Sequence, residues 1–328
     1  MALNILLVRV SSLGDVLHNL PMVADILRRH PDANVDWVVE EGYVSLVRLN
    51  PRVRKIIPFA LRRWRKSLGD QATRAEIRAF FAQLREQRYD YVFDTQGLLK
   101  TGIIMGAARI GRGGQKVGLA NGSEGSGYEG VSRLFHTRSV PLDQRTHAVA
   151  RGRLVAGAAL GYPVDTAPDF GLPGPDTANR PHWMPAQDYA VFFHGTAREA
   201  KKWPTAHWIA TANALAPMPV LLAWGSPNEQ REAEAIAAGA PNAVVLPKLS
   251  MDEAIALARN AGLAIGVDTG LTHIAAAFVR PTIELYCDSP KWKTEGNWSP
   301  RIINLGDKND PPQVAEVLAA VARLKGQP

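Results

Sequence analysis

Cysteine is all but missing from this sequence: Cys287 is the only one in 328 residues. A single cysteine excludes an internal disulfide framework, and no histidine or cysteine grouping has the spacing of a zinc site. That usage fits a reducing compartment such as the cytosol. Any run of about 18 apolar residues is also missing, so no membrane-spanning helix is expected. The apolar stretch at the N-terminus is short, Arg9 interrupts it, and no cleavage-site pattern follows, which argues against a signal peptide. The first apolar run leads into Ser11-Ser12-Leu13-Gly14-Asp15, without the G-x-G-x-x-G fingerprint of a dinucleotide-binding oxidoreductase. Positive charges are dispersed and no nucleic-acid motif occurs, so no nucleic-acid partner is expected.

What remains has the composition of a globular chain. Apolar residues make up 46% and charged residues 21%, which excludes bulk disorder and suits about two domains at this length. The formal net charge of +7 favours anionic ligands, and it also serves general solubility.

Short β-rich runs alternate with helical patterns along the chain. In the first half, residues 4–10, 35–40, 55–60, 89–95 and 116–120 read as strands, and 17–29, 74–87 and 98–109 as helices. In the second half, residues 189–195, 220–225, 243–247, 263–268 and 282–287 read as strands, and 205–214, 229–238, 251–259 and 271–278 as helices. Near-continuous apolar strands such as 264–267 suit parallel sheets covered on both faces. Residues 162–187 carry Pro163, Pro168, Pro173, Pro175, Pro181 and Pro185, a density that helices and central strands tolerate poorly. The expected organisation is therefore α/β, with doubly wound parallel-sheet domains at 1–161 and 188–328 joined by a linker at 162–187. A last helix at 311–324 could pack back across the first domain. In such sheets ligands bind beyond the carboxyl ends of the strands.

Five segments lie where that rule places chemistry. In Val267-Asp268-Thr269-Gly270-Leu271-Thr272-His273 a strand ends, a small-residue turn follows and a helix begins. Free amides at a helix start favour phosphate, and Thr269, Thr272 and His273 would add side-chain donors. An ordinary helix capped by Asp268 or Thr269 fits the same residues. In His194-Gly195-Thr196-Ala197-Arg198-Glu199-Ala200-Lys201-Lys202 three cations and Thr196 follow a strand, as a pyrophosphate site or as a solvated loop. Glu229, after Trp224-Gly225-Ser226, suits either the hydroxyls of a ribose or the first turn of a helix. Asp15 suits either a general base facing the cleft or a helix N-cap. Arg62, Arg63, Arg65 and Lys66 flank Trp64, as an anion-binding cluster or a surface turn.

Together these segments resemble the lipopolysaccharide heptosyltransferases of glycosyltransferase family 9. The resemblance runs from Ile5 to about Tyr286. It rests on V-S-S-L-G-D-V-L-H-N-L-P from Val10, D-W-V-V-E-E-G from Asp36, R-R-W-R-K from Arg62 and D-T-Q-G-L-L-K from Asp94. It continues with K-K-W-P from Lys201, W-G-S-P-N-E from Trp224 and V-D-T-G-L-T-H from Val267. It implies a GT-B fold of two facing Rossmann-like domains, acceptor on the first and nucleotide sugar on the second. It implies inverting, metal-independent transfer of L-glycero-D-manno-heptose from ADP-heptose to Kdo of Kdo2-lipid A, without a cofactor. A family member acting on a different core acceptor is the alternative.

On this resemblance Asp15 would be the base and Lys201 would stabilise the departing ADP. Thr196, Glu229, Asp268, Thr269, Gly270, Leu271, Thr272 and His273 would bind the donor. Ser12, Gly14, Arg62, Arg63, Arg65, Lys66 and Lys100 would receive the acceptor. A lipid acceptor implies peripheral, cytoplasmic-face attachment to the inner membrane. Two positions depart from the family pattern. Ala197 stands where a second threonine is common, and Cys287 stands in a turn that is usually glycine-containing. Cysteine there would be strained if the turn required a positive φ.

Overall fold

Strand β1 (Asn4–Val8) reads N-I-L-L-V, and every residue after Asn4 is buried. A strand buried on both faces needs neighbours on both edges and helices above and below. In the computed structural model, β1 pairs in parallel with β2 (Asn34–Glu40) and with β4 (Arg88–Asp94). The structure describes residues 2–176 and 181–326, and the chain divides into two units, Met1–Gly171 and Leu172–Pro328.

The first unit continues through α1 (Leu13–His18), α2 (Leu20–Arg29), α3 (Val44–Arg48), β3 (Val53–Phe59), α4 (Leu61–Trp64) and α5 (Gln71–Leu84). It closes with α6 (Leu99–Ala107), β5 (Arg109–Leu119), β6 (Arg138–Val140) and α7 (Ala148–Leu160). The second unit holds β7 (Ala190–Phe193), α8 (Thr205–Leu215), β8 (Val220–Leu222), α9 (Pro227–Gly239), β9 (Ala243–Val245) and α10 (Met251–Asn260). It ends with β10 (Leu263–Val267), α11 (Gly270–Ala277), β11 (Thr282–Tyr286), β12 (Ile302–Gly306) and α12 (Val314–Lys325).

The two sheets run β3-β2-β1-β4-β5-β6 and β12-β11-β10-β7-β8-β9. Numbered within its own unit, each has the doubly wound order 3-2-1-4-5-6. Strand order reverses between β1 and β4 in one unit and between β7 and β10 in the other. At each reversal the following helices leave to opposite faces and open a crevice beyond the strand ends. Asp15 follows β1, Lys201 follows β7 and Asp268 follows β10, so three candidate residues fall at these switch points.

Several elements differ from the sequence reading. The helix expected at 17–29 is two helices, because Asn19 ends α1 and Pro21 opens α2. Strand β5 is far longer than 116–120, and β6, α7 and β12 had no assignment. Helix α7 hides its period by burying Arg151 and Arg153 among apolar residues. The last helix starts at Val314, since Pro311 and Pro312 stay outside it. It packs through Val317, Ala320, Val321 and Leu324 into the core of the second unit. The proline-rich stretch is divided: residues up to Gly171 go with the first unit, where Asn50 donates to the Phe170 carbonyl at 3.2 Å. Later ones go with the second, where Trp183 donates to Glu253 at 3.0 Å; residues 177–180 lie outside the described residues. No helix among the described residues is long and apolar enough to cross a membrane.

Candidate functional site

In the first unit the loop after β1 turns at Ser12, which takes the N-cap position of α1. Asp15 is therefore not the cap that the sequence allowed; it stands three residues later and reaches back. Its Oδ2 accepts from the Ser12 amide at 3.1 Å and the Ser12 hydroxyl at 2.9 Å. Its Oδ1 meets Arg9 Nη2 at 2.6 Å. Burial opposes its ionisation, but Arg9, His18 and Arg151 together hold the Asp15 carboxyl well below the usual carboxylate range. Gly14 lies in the first turn of α1, half-buried.

The loop after β4 locks this arrangement. Asp94 is fully buried and accepts from the amides of Gln96 and Gly97 at 2.9 and 3.0 Å and from Thr101 Oγ1 at 2.8 Å. Gln96, so placed, accepts from the Val10 amide at 3.0 Å and donates to Ser11 Oγ at 3.2 Å. Lys100 Nζ donates to the same Ser11 hydroxyl at 3.2 Å. Its pKa is lowered by burial and by the nearby charges of Arg62 and Arg65. The cations of the basic cluster differ in their partners. Arg63 is drawn into ion pairs with Glu41 at 3.0 Å and Glu76 at 2.8 Å. Arg62 lies over the Tyr43 ring, while Arg65 and Lys66 are exposed and make no ion pair among the described residues.

In the second unit Lys201 and Asp268 converge from the ends of β7 and β10, with Nζ and Oδ2 2.5 Å apart. Asp268 Oδ1 also accepts from Thr294 Oγ1 at 3.2 Å and contacts His273 Nε2 at 3.0 Å. Burial opposes its charge, but His273 and Lys201 hold the Asp268 carboxyl well below the usual range. Helix α11 begins at Gly270, and no side chain caps its first amides. The amides of Gly270, Leu271 and Thr272, in its first turn, have no partner within the helix. The hydroxyls of Thr196 and Thr269 make no hydrogen bond among the described residues.

Three of the expected donor residues make hydrogen bonds within the protein. Thr272 is fully buried and spends its hydroxyl on the Val267 carbonyl at 2.8 Å, leaving only its amide. His273 is buried behind Asp268, and its Nδ1 meets Glu284 Oε1 at 2.8 Å. Both ring nitrogens are engaged within the protein, by Glu284 and Asp268. Glu229 forms a capping box: its Oε2 accepts from the amides of Gly225 at 2.7 Å and Ser226 at 3.1 Å. Oε1 accepts no hydrogen bond among the described residues. Of the other two loop cations, Lys202 pairs with Glu199 at 2.7 Å and with Glu232, and Arg198 faces Asp288 at 3.9 Å.

Thr294, Glu284, Tyr286 and Gly296 were not anticipated. Tyr286 donates to Glu284 Oε2 at 3.0 Å and the Gly296 amide does so at 2.8 Å. A carboxylate inside the apolar strand T-I-E-L-Y was the one available signal. Cys287 is not strained: the only non-glycine residues with positive φ among those described are Val279 and Asn309. Its thiol is buried and pushed up to about 11, which keeps it a neutral packing group. Among the described residues no group of three or more His, Cys, Asp or Glu side chains is placed to hold a metal ion.

The His273 network carries a pH signature. Burial lowers its pKa, yet Glu284 and Asp268 outweigh that and raise it to about 10. A folded pKa above the unfolded value of about 6.5 stabilises the fold fully below that pH and is lost as pH rises through the folded value. The melting temperature is expected to fall between about pH 7 and about pH 10. His273→Gln should melt lower at neutral pH and show a shallower fall, measured by circular dichroism. An equally steep fall in the variant would remove His273 as its source.

The family model for glycosyltransferase family 9 (heptosyltransferase) matches residues 77–318. Lipopolysaccharide heptosyltransferase 1 of Pseudomonas aeruginosa is 39% identical over 287 residues, covering 87% of this chain and 78% of that protein. Its counterpart from Escherichia coli K12 is 35% identical over 288 residues, covering 87% and 88%. The solved structure of E. coli heptosyltransferase WaaC with ADP matches with a TM-score of 0.84 and 32% identity, covering 98% of this chain and 100% of that one.

Proposed function

Because this chain belongs to glycosyltransferase family 9, the heptosyltransferases, we propose that it moves heptose from ADP-heptose onto the lipopolysaccharide inner core, with Kdo of Kdo2-lipid A as acceptor. This is the activity of heptosyltransferase 1. The observation that carries it is the pairing of Lys201 with Asp268 beside an uncapped helix start, at the switch point of the second unit.

In this reading Asp15 accepts the proton of the attacking Kdo hydroxyl as the new glycosidic bond forms on the face opposite the departing phosphate. Its low pKa makes it a weak base before the reaction; proton transfer concerted with bond formation overcomes that. Lys201 and the amides of Gly270, Leu271 and Thr272 take the charge that develops on ADP. Preorganised donors of this kind are worth about 3–4 kcal/mol each at a transition state. They supply the neutralisation that a divalent ion provides in other nucleotide-sugar sites. Thr196 and Thr269 add hydroxyls to the phosphates, Glu229 Oε1 accepts from the ribose, and Asp268 accepts from the sugar. Arg62, Arg65, Lys66 and Lys100 meet the anionic acceptor, with Arg63 joining only if it leaves Glu41 and Glu76.

The lipid acceptor calls for peripheral association with the cytoplasmic face of the inner membrane, sensitive to salt. The decisive measurement is ADP release with a panel of acceptors. Turnover is expected on Kdo2-lipid A and not on an already heptosylated core. The reverse pattern would assign the second transfer instead. ADP should raise the melting temperature and NAD should not.

A further inference from the structure

Helix α7 carries an arginine that the first unit buries without a partner. Arg151 is 5% exposed, makes no hydrogen bond or ion pair among the described residues, and has its Nε enclosed with no acceptor. Its neighbour Arg153 shows the ordinary arrangement, closing on Asp25 at 2.6 and 3.1 Å. A buried cation without such a partner is costly and persists only where something else requires it.

Its position indicates what that is. Helix α7 packs on α1 and α2, and Gly152 lets it approach closely: a Cβ there would meet Asn19 Oδ1 at 2.1 Å. This brings Arg151 within electrostatic reach of Arg9 and Asp15. Asp15 is already engaged by Arg9 and by Ser12. Arg9 Nε, Arg151 Nε and the Nδ2 of Asn19, which packs against Gly152, are all enclosed without an acceptor. Arg9 also lies within electrostatic reach of the buried Asp94, whereas Asp15, already taken by Arg9 and Ser12, is the one carboxylate that acts on the Arg151 charge. Water would satisfy the donors but not the charge. A planar anion offering two oxygens satisfies both.

We propose that Arg151 binds the carboxylate of the acceptor's sugar acid and so holds the attacking hydroxyl beside Asp15. This rests on the acceptor reading above, in which the sugar glycosylated is itself an acid.

The test is steady-state kinetics of the full-length protein at saturating ADP-heptose. The acceptor is compared with its analogue carrying a carboxamide in place of that carboxylate. The wild type is expected to prefer the carboxylate by about tenfold or more in kcat/KM, through KM. Arg151→Gln should lose that preference, weakening the carboxylate acceptor about tenfold or more and the carboxamide little. Arg151→Lys, which keeps the charge but not the fork, should retain part of it. The ADP-induced melting shift should be unchanged in both. Neither variant should melt below the wild type, since no partner is lost; a structural arginine would behave in the opposite way.

An undiminished preference in either variant overturns the proposal. So does an equal loss of kcat on both acceptors with a displaced pH profile, which would mean that Arg151 acts only through Asp15. Failure of the wild type to use Kdo2-lipid A at all would instead remove the acceptor reading, a result distinct from these.

Discussion

Asp15→Asn is expected to reduce transfer by about 10²–10⁴-fold in kcat, the range general-base catalysis contributes, while leaving a folded protein. Asparagine keeps an oxygen for the Ser12 amide but cannot take the proton of the attacking hydroxyl. The variant also leaves Arg9, 5% exposed, without its carboxylate beside a second unpaired guanidinium. Breaking a buried pair this way is destabilising, but the Asp15 side chain is 36% exposed and solvent screens part of the effect. A loss of about 1–2 kcal/mol is expected, with Asp15→Ala losing about 1 kcal/mol more through its capping-box contacts to Ser12. Single-turnover kinetics on protein checked by thermal melting decides the matter: substantial turnover in well-folded Asp15→Asn would exclude Asp15 as the base. Because Asp15 is ionised far below neutrality, no fall in rate attributable to it is expected down to about pH 5.

The second large effect belongs to Lys201. Lys201→Ala should slow transfer by about 10²–10³-fold, the loss typical of one donor aimed at a developing anion. The fold should survive, since Asp268 retains His273 at 3.0 Å and Thr294 at 3.2 Å. The melting shift produced by ADP should shrink, because the lysine contacts ground state and transition state alike. With Lys201 gone, Asp268 would also face the phosphates as a negative charge without its lysine. A double-mutant comparison with Asp268→Asn separates these two contributions. Unchanged kinetics in Lys201→Ala would remove it from the site.

Much of this protein was legible in the sequence because its determinants are local. The apolar runs of β1, β7 and β10 follow from burial on both faces, and the turns after them follow from Gly and Ser/Thr chemistry. The doubly wound class and the placement of Asp15, Lys201 and Asp268 after strand ends therefore needed no coordinates. The same locality explains the misses. Helix α7 looked irregular because two of its buried positions are arginines, and a helix's period is read from apolar residues.

What only the tertiary structure decided is which of two chemically equal roles each polar side chain takes. His273 and Thr272 sit in the same motif as Asp268, yet both turn inward, because Glu284 and the Val267 carbonyl lie beneath them. Arg63 is adjacent to Arg62, but only Arg63 finds two carboxylates, one from the start of a short helical turn after β2 and one from α5. Arg9 and Arg151 are 142 residues apart in sequence, numbered as they stand. Arg151 comes within electrostatic reach of Arg9 and Asp15 only because α7 packs on α1. Composition and spacing determine which groups the chain owns and where strands end. Long-range packing determines which charges are cancelled within the protein and which are left for a ligand.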